Sequence, residues 1–214
     1  MSIRTLIAVP CLDMMHTDFV ISLTGLRHNG NVKFVYCASS LVYDSRNSLA
    51  RRAIVEGFDR VLWLDSDMKF APDLLQKLEA DMDEGLDMVS GLYICRKPPL
   101  KPVIFDKVGY DHIEGSMEVK PYANSYYEYP KDQLFEVEAC GFGGVLMNTS
   151  LLKEVEQTYG LPFAPILGFG EDISFCLRVK ELGKKMYCDS RVKLGHVGNF
   201  VFTEDTYLKG KEQC

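Results

Sequence analysis

The 214-residue chain lacks a long hydrophobic run, an excess of positive charge and a glycine-rich loop after its first apolar stretch. No segment approaches 18 consecutive apolar residues, and the short run near the N-terminus is too brief for a signal peptide, so we expect a cytoplasmic protein without a membrane span. The net charge of −6 argues against a nucleic-acid partner, because surfaces that bind nucleic acid are basic. A small phosphate-bearing ligand is still compatible with this charge, because a bound metal ion can outweigh it locally.

The cysteines also lack any pattern that indicates a disulfide framework or a zinc site. Seven are scattered along the chain, which is an odd number, and no two of them form a Cys-x-x-Cys pair. This usage is typical of reduced thiols in a cytosolic protein.

What the sequence does contain is enough apolar material for a sizeable core, arranged as alternating strands and helices. Hydrophobic residues make up 47% of the chain, which fits a single α/β domain over residues 1–214. Short apolar runs predict strands, and apolar residues at helical spacing predict helices. The strands are predicted at 5–10, 32–38, 60–64 and 87–96, and the helices between them at 17–27, 44–57 and 72–83. This order predicts βαβ units and a mostly parallel central sheet flanked by helices.

The pattern changes after Arg96. Residues 97–133 are rich in Pro, Tyr, Lys and Glu and show no helical period, so they predict a small antiparallel excursion or a mobile flap. Regular elements return in residues 134–214, with a strand, a glycine cluster and a helix, followed by a helix at about 172–182 and a strand at 184–189.

Two carboxylates stand directly after the most hydrophobic strand. Asp65 and Asp67 follow the run Val61–Leu64, with Ser66 between them. Ligands of open α/β sheets bind beyond the carboxyl ends of the parallel strands, so we expect both side chains at the mouth of a site rather than in the core. Paired carboxylates in such a place are hard ligands for Mg²⁺ or Mn²⁺. The alternative is that one of them only caps the next helix or turns the chain.

Two further polar positions follow later in the chain. Glu171 and Asp172 fall at the start of a predicted helix, where acidic residues are favoured by the helix dipole even without a functional role. The glycines before them also permit close approach of a substrate. His196 lies between Gly195 and Gly198, where it is either incidental or a ligand contact.

Taken in order, six motifs resemble those of the GT-A glycosyltransferases, in particular the family-2-like, inverting, metal-dependent kind. The segments are AVPCLD, SRNSLARRAI, LWLDSDM, ACGFGGVLMNTSLL, GFGEDISFCLRVKELGKKMY and LGHVG. The resemblance extends from residue 3 to about residue 198. It implies a GT-A fold with a nucleotide-binding half at 1–96, the excursion at 97–133, and an acceptor-side half with the tail at 134–214.

The resemblance also implies roles for particular residues. A divalent metal, Mn²⁺ or Mg²⁺, would be bound by Asp65, Asp67 and His196. Asp172 would be the catalytic base and Glu171 would hold the acceptor, although the choice between the two as base stays open. The residues implied to bind the nucleotide-sugar donor are Pro10, Asp44, Arg46, Asn47, Asp65, Ser66, Gly143 and Gly144.

The implied activity is transfer of a sugar from a nucleotide-diphosphate-sugar, with UDP favoured, to a hydroxyl of a glycan, lipid or protein. Transfer would be a single displacement that inverts the anomeric carbon. The small size of the chain makes a homodimer attractive. Two other functions stay open: a nucleotide-sugar-binding module without turnover, and a sugar nucleotidyltransferase. The latter normally needs a glycine-rich loop with an arginine after the first strand, which residues 9–18 do not supply.

Overall fold

The structure is a computed structural model that describes residues 3–198 and 201–211. The helices of this part of the chain are α1 (Thr17–Thr24), α2 (Val42–Val55), α3 (Leu74–Met82), α4 (Thr149–Tyr159), α5 (Glu171–Glu181) and α6 (Glu204–Lys211). The strands are β1 (Thr5–Cys11), β2 (Val32–Ala38), β3 (Arg60–Leu64), β4 (Met68–Lys69), β5 (Met88–Leu92), β6 (Ile104–His112), β7 (Val119–Ser125), β8 (Leu134–Val137), β9 (Ala139–Cys140), β10 (Gly144–Asn148), β11 (Met186–Lys193), β12 (Gly195–Val197) and β13 (Val201–Phe202).

The central sheet has the strand order β2-β1-β3-β10-β5-β11-β8. β1 pairs in parallel with both β2 and β3, and β5 pairs in parallel with β11. β10 runs antiparallel between β3 and β5, and β8 runs antiparallel to β11 at one edge. The predicted α/β architecture with a mostly parallel sheet flanked by helices is confirmed, but the inserted antiparallel strand β10 is not visible in the sequence pattern.

Alternate residues of β3 enter different cores, which explains why the strand is apolar from Val61 to Leu64. Val61 and Trp63 belong to the core that also contains the apolar faces of α2, α4 and α5. Leu62 and Leu64 belong to the core on the other face of the sheet, with α1 and α3. A strand buried on both faces reads as a continuous hydrophobic run, because each of its side chains leaves water on folding.

The excursion contributes β6 and β7 to a small antiparallel sheet of the order β7-β6-β9, whose strand β9 follows the excursion in the chain. Its long hairpin contacts the loop before α5, where the Tyr110 hydroxyl donates a hydrogen bond to the Leu167 carbonyl oxygen at 3.0 Å. The rings of Tyr110 and Phe169 also meet edge to face, with centroids 5.2 Å apart. Gly168 has a φ of +81°, and a side chain there would collide with Pro121 of the hairpin. The hairpin therefore supports the loop that leads to Glu171.

Several element boundaries differ from the prediction. Helix α2 begins at Val42 rather than near Asp44, which places Asp44 in the first turn. Helix α1 ends at Thr24 instead of continuing to about residue 27. Strand β5 ends at Leu92, because the chain then turns toward the excursion through an isolated bridge between Ile94 and Pro102.

The sequence also predicts that the chain has no membrane span and that its cysteines are reduced. Across residues 3–198 and 201–211, no helix is both long and apolar enough to cross a membrane. The six cysteines in the same ranges are free thiols. The cytoplasmic location stays a prediction.

Candidate active site

A cleft of about 420 Å³ opens at the carboxyl ends of β1, β2 and β3. Its size lies in the range of small-ligand pockets, and its position is the one at which open α/β sheets bind ligands. The residues that line it are Pro10, Cys11, Leu12, Ser39, Ser40, Val42, Arg46, Asp65, Ser66, Asp67, Arg96, Glu171 and His196.

Arg46 connects two of the predicted site residues. Its Nη2 atom donates to Asp65 Oδ1 at 2.7 Å, and its Nε atom donates to Glu171 Oε1 at 3.1 Å. The Arg46 side chain is only 2% exposed, and its guanidinium lies over the rings of Trp63 and Phe142, at 5.7 and 5.3 Å from their centroids. Helix α2, strand β3 and helix α5 are thereby joined through one buried cation.

The charge state of Arg46 follows from its neighbours. Burial lowers the pKa of this guanidinium, but the carboxylates of Asp65, Glu171 and Asp172 outweigh burial, and the net pKa is raised. The side chain is therefore a permanent cation whose Nη2 and Nε groups are already bonded to protein carboxylates, while its Nη1 atom is buried with no described partner. Arg46 lines the cleft and positions Asp65 and Glu171, and its predicted contact to the nucleotide stays a prediction.

Asp67 and His196 are brought together by a short pairing of strands. β4 follows the Asp-Ser-Asp segment at once and pairs antiparallel with β12, so that Met68 lies opposite His196. The Val197 amide also donates to the Asp67 carbonyl oxygen at 2.8 Å. As a result, Asp67 Oδ2 lies 3.5 Å from His196 Nε2.

The orientation of His196 fits a metal ligand. Its Nδ1 atom lies 3.1 Å from the Ile94 carbonyl oxygen, an acceptor, so Nδ1 carries the proton and donates. In a neutral imidazole this leaves the lone pair on Nε2, on the side of Asp67, which is the arrangement in which a backbone carbonyl orients a ligating histidine. The ring also packs edge to face on Tyr93, with centroids 5.6 Å apart.

The predicted three-ligand metal site is only partly assembled. No group of three or more His, Cys, Asp or Glu side chains suited to a metal ion occurs in residues 3–198 and 201–211. Asp67 and His196 are adjacent, whereas Asp65 is paired with Arg46. A carboxylate oxygen and an imidazole nitrogen still fit Mn²⁺ or Mg²⁺, since such ions take remaining ligands from water and substrate phosphates.

Asp67 carries its negative charge into the cleft. Burial alone raises the pKa of this carboxyl, but a protonated His196 ring, which can donate from Nε2, and the charge of Arg96 lower it below its ordinary value. Arg96 Nη1 directly contacts Asp67 Oδ2. Asp67 therefore already faces one cationic side chain in the protein itself.

Asp172 lies beside the cleft, at the start of α5, and is half-buried. Burial and the neighbouring Glu171 raise its pKa to about 6, against the opposing effects of the Ile173 amide and Arg46. Its Oδ1 atom accepts a hydrogen bond from the Ile173 amide at 2.7 Å. Asp172 does not line the cleft itself, whereas Glu171 does. Such a carboxylate is a stronger base than an ordinary aspartate and is still mostly ionised at pH 7.

The other predicted donor-binding residues divide into two groups. Pro10, near the end of β1, and Ser66 both line the cleft. Asp44 is exposed on α2 and lies outside the lining. Asn47 also lies outside it, because its side chain is turned about 100° around α2 from that of Arg46, and its Oδ1 atom accepts from the Phe163 amide at 2.9 Å. Asn47 therefore anchors the loop before α5 rather than contacting the cleft.

The glycine cluster has a packing role in the structure. A side chain at Gly143 would approach Met68 and Tyr93 to 3.0 Å, and one at Gly144 would approach Leu194 to 2.6 Å. Neither glycine lines the cleft. The prediction that Gly143 and Gly144 contact the donor therefore lacks support from their position, because large side chains fill the space next to them.

Three polar residues of the cleft were absent from the predicted site. Ser39 and Ser40 follow β2, and Arg96 follows β5 and its short extension. The two serines could have been predicted from the sequence, because they follow a predicted parallel strand and the carboxyl ends of parallel strands meet at one edge of the sheet. For Arg96, the sequence shows only a basic residue before two prolines, and its reach toward Asp67 depends on the turn into the excursion.

The fold is that of a mixed α/β protein with a cleft at the carboxyl ends of its parallel strands. The chain is similar to the solved structure titled crystal structure of A197 from STIV, with a TM-score of 0.65 and 20% sequence identity. The match covers 92% of this chain and 86% of that chain, so the likeness extends over the whole fold and, at this identity, shows the fold alone. No family model matches the sequence, and neither does any curated protein.

Proposed function

We propose that the protein is a glycosyltransferase with a GT-A fold, which transfers a sugar from a nucleotide-diphosphate-sugar, UDP-sugar favoured, to an acceptor hydroxyl. The observation that carries the proposal is the meeting of Asp67 and His196, 3.5 Å apart, in a cleft that Glu171 also lines. Asp67 and His196, which suit a cation, and Glu171 at the start of α5 therefore line one cleft that is large enough for a small ligand.

The cleft offers separate regions for the parts of the donor. Ser39, Ser40 and Val42 provide hydroxyl groups and an apolar surface at the end of β2, which suit a nucleoside. Asp67 and His196 would hold the metal ion close to the diphosphate. When bound there, Mn²⁺ or Mg²⁺ would supply charge stabilisation for the departing diphosphate.

Asp172 is the proposed base. Its raised pKa, about 6, makes it basic enough to accept a proton, while Glu171 is neutralised by its ion pair with Arg46. The acceptor oxygen forms a bond to the anomeric carbon and gives its proton to Asp172. The bond from that carbon to the diphosphate oxygen breaks, and its electron pair leaves with the diphosphate. Attack from the face opposite the leaving group inverts the carbon.

The decisive experiment is a thermal-shift series with UDP, GDP, CDP, ADP and dTDP, each with Mn²⁺ and with EDTA. A ligand at a hundred times its Kd adds about 2.7 kcal/mol of stability, which is a clear rise in Tm. We expect one nucleotide to stabilise the protein only with metal, and Asp67→Asn to remove the effect. The matched control is Asp106→Asn, since Asp106 is an exposed carboxylate outside the cleft.

Two outcomes would change the proposal. If no nucleotide stabilises the protein under either condition, the cleft is not a nucleotide–metal site and the proposal fails. If a nucleotide binds but its UDP-sugar is neither transferred nor hydrolysed, the protein is a nucleotide-sugar-binding module without turnover.

A further inference from the structure

We propose that Arg96 is a ligand of the donor diphosphate, which Asp67 holds in place until the donor arrives. In the protein alone, the guanidinium neutralises Asp67. When donor and metal ion enter, Arg96 leaves Asp67 and pairs with the diphosphate, and Asp67 becomes free to act as a metal ligand. This inference rests on the function proposed above and assigns a role to a residue that the predicted site did not include.

The first support is the crowding around one carboxylate oxygen. Asp67 Oδ2 is contacted by Arg96 Nη1 and lies 3.5 Å from His196 Nε2. The same Nη1 atom lies 3.5 Å from the Val197 carbonyl oxygen, on the strand that carries His196. The guanidinium thus occupies the side of Asp67 that a metal ion would need. Arg96 and a metal ion therefore compete for one oxygen.

The second support is the supply of positive charge in the cleft. The carboxylates that line it are Asp65, Asp67 and Glu171, and the guanidinium groups are Arg46 and Arg96. Arg46 is committed to Asp65 and Glu171 through two hydrogen bonds and is almost fully buried. Arg96 is the guanidinium that a phosphate can reach, because its side chain is 45% exposed.

The third support is the location of Arg96 between two spaces. It lines the cleft and also an adjoining cavity of about 600 Å³, formed largely by residues 12–17 between β1 and α1. Asp67 is shared by the two cavities in the same way. A side chain on this boundary can turn toward a diphosphate in either space without moving its backbone.

The backbone next to Arg96 is held by its neighbour. Cys95 Sγ lies 3.1 Å from the Lys97 carbonyl oxygen and 3.3 Å from that of Pro99, and it accepts from the Lys101 amide at 3.3 Å. These contacts close the turn between residues 95 and 101. The exchange therefore needs rotation of the Arg96 side chain alone.

The energies favour exchange. Ion pairs that water can reach contribute little stability, because water solvates the separated charges and holding two side chains in one geometry costs conformational entropy. A diphosphate offers more charge than a carboxylate and can accept two parallel hydrogen bonds from a guanidinium. Arg96 consequently has more to gain from the diphosphate than it loses on leaving Asp67.

The exchange predicts effects of opposite sign for one substitution. In Arg96→Gln, Mn²⁺ without nucleotide should bind about two- to fivefold tighter, because the competing cation is gone. UDP in the presence of Mn²⁺ should bind roughly tenfold weaker, because a charge-assisted contact is lost. Arg96→Lys keeps the charge but not the paired donors, so its Mn²⁺ affinity should stay near wild type while UDP binding weakens.

The test measures free Mn²⁺ by electron paramagnetic resonance and UDP binding by titration calorimetry. Arg51→Gln is the matched control, since Arg51 is 72% exposed on α2 and outside the cleft. Opposite shifts in Arg96→Gln, with none in the control, support the exchange. Unchanged or weaker Mn²⁺ binding would overturn it.

The result also separates this inference from the proposed function. If the wild-type protein binds UDP with Mn²⁺ and Arg96→Gln binds UDP equally well, the exchange is wrong while the function stands. If the wild-type protein binds Mn²⁺ but none of the five nucleotides, the function fails, and with it the assigned role of Arg96 as a diphosphate ligand.

Discussion

Two arginines pair with the two carboxylates of one Asp-Ser-Asp segment, and they do so in opposite environments. Arg46 is 2% exposed, holds Asp65 and Glu171, and lies over two aromatic rings. Arg96 is 45% exposed and holds Asp67 through a single carboxylate oxygen. The buried pair belongs to the framework of the protein, and the exposed pair lines the cleft.

The difference shows how a short acidic motif can serve two purposes. A buried cation cannot leave its carboxylates, because the guanidinium of Arg46 would then be charged and unsolvated. A half-exposed pair can separate, because water or a ligand replaces the lost partner. Asp65 and Asp67 therefore pair with cations in different surroundings although only Ser66 stands between them.

The largest expected effect comes from removing the buried cation. Arg46→Met should lower the free energy of unfolding by about 3–5 kcal/mol, because Asp65 and Glu171 would keep their charges without a partner. Arg51→Met on the same helix, at an exposed pair with Glu156, should cost no more than about 1 kcal/mol. Urea denaturation of both variants measures the difference. Equal losses would mean that the buried pair is no part of the framework.

The next largest effect distinguishes a loss of turnover from a loss of stability at the two acidic residues that begin α5. Asp172→Asn should lower turnover by about 10²–10⁴-fold, as expected for loss of a general base. Glu171→Gln should lower turnover less and reduce stability instead, because Arg46 loses one of its two carboxylates. Transfer assays together with Tm values for both variants check this. A larger loss of turnover in Glu171→Gln would make Glu171 the base.

The pKa of Asp172 gives this prediction a pH dependence. The folded protein binds this proton more tightly than the unfolded chain, whose aspartates titrate near 3.8, since the folded pKa is about 6. Stability from this group is therefore greatest at low pH and falls by about 2–3 kcal/mol as pH rises from 4 to above 6. Asp172→Asn should be more stable than wild type at pH 7 and equal to it near pH 4. Wild-type turnover should rise with pH through about 6.

A smaller effect compares the two aspartates directly. Asp65→Asn should lower stability by about 1–3 kcal/mol, because it weakens a buried hydrogen bond to Arg46. Asp67→Asn should change stability by about 1 kcal/mol or less, yet remove nucleotide binding that depends on metal. Chemical denaturation and the nucleotide thermal-shift series distinguish them. The contrast between the two pairs breaks down if Asp67→Asn is the more destabilising of the two.

The smallest effect concerns salt. The ion pair of Arg96 with Asp67 should contribute under about 1 kcal/mol of stability. Salt at 1 M should remove most of this contribution, because the Debye length falls to about 3 Å at that concentration. The stability difference between wild type and Arg96→Gln should then vanish. The difference between wild type and Arg46→Met should persist, because buried pairs are screened much less. If 1 M salt also removed the stability difference between wild type and Arg46→Met, the ion pairs of Arg46 would not be buried as the structure shows.

Much of the fold was predictable because it follows from local pattern. The apolar run of β3 indicates a strand buried on both faces, and the following polar residues indicate a sheet edge. The helical spacing of α2, α3 and α5 places them within a few residues of their observed bounds. The antiparallel strand β10 was not predictable, because its direction depends on how the chain returns from the excursion.

The candidate site was predictable in part for the same reason. Asp65, Asp67 and Glu171 lie at the cleft because they follow or begin regular elements. The position of Asn47 was not predictable, because its neighbour Arg46 faces the cleft while the Asn47 side chain, one residue further around the helix, faces the loop at Phe163. The position of Gly143 was not predictable either, because a glycine that makes room for Tyr93 and one that makes room for a ligand look alike in sequence.

The sequence by itself determined the helices α1 to α3 and α5, the strands β1, β2, β3 and β5, and the polar residues at their ends, because these depend on spacing along the chain. Only the tertiary structure decided which charges meet. The pairing of β4 with β12 brings Asp67 to His196 over a separation of more than a hundred residues. Burial then decides that Arg46 is fixed and Arg96 is exchangeable, because the strength of an ion pair depends on the water around it rather than on the identity of its residues.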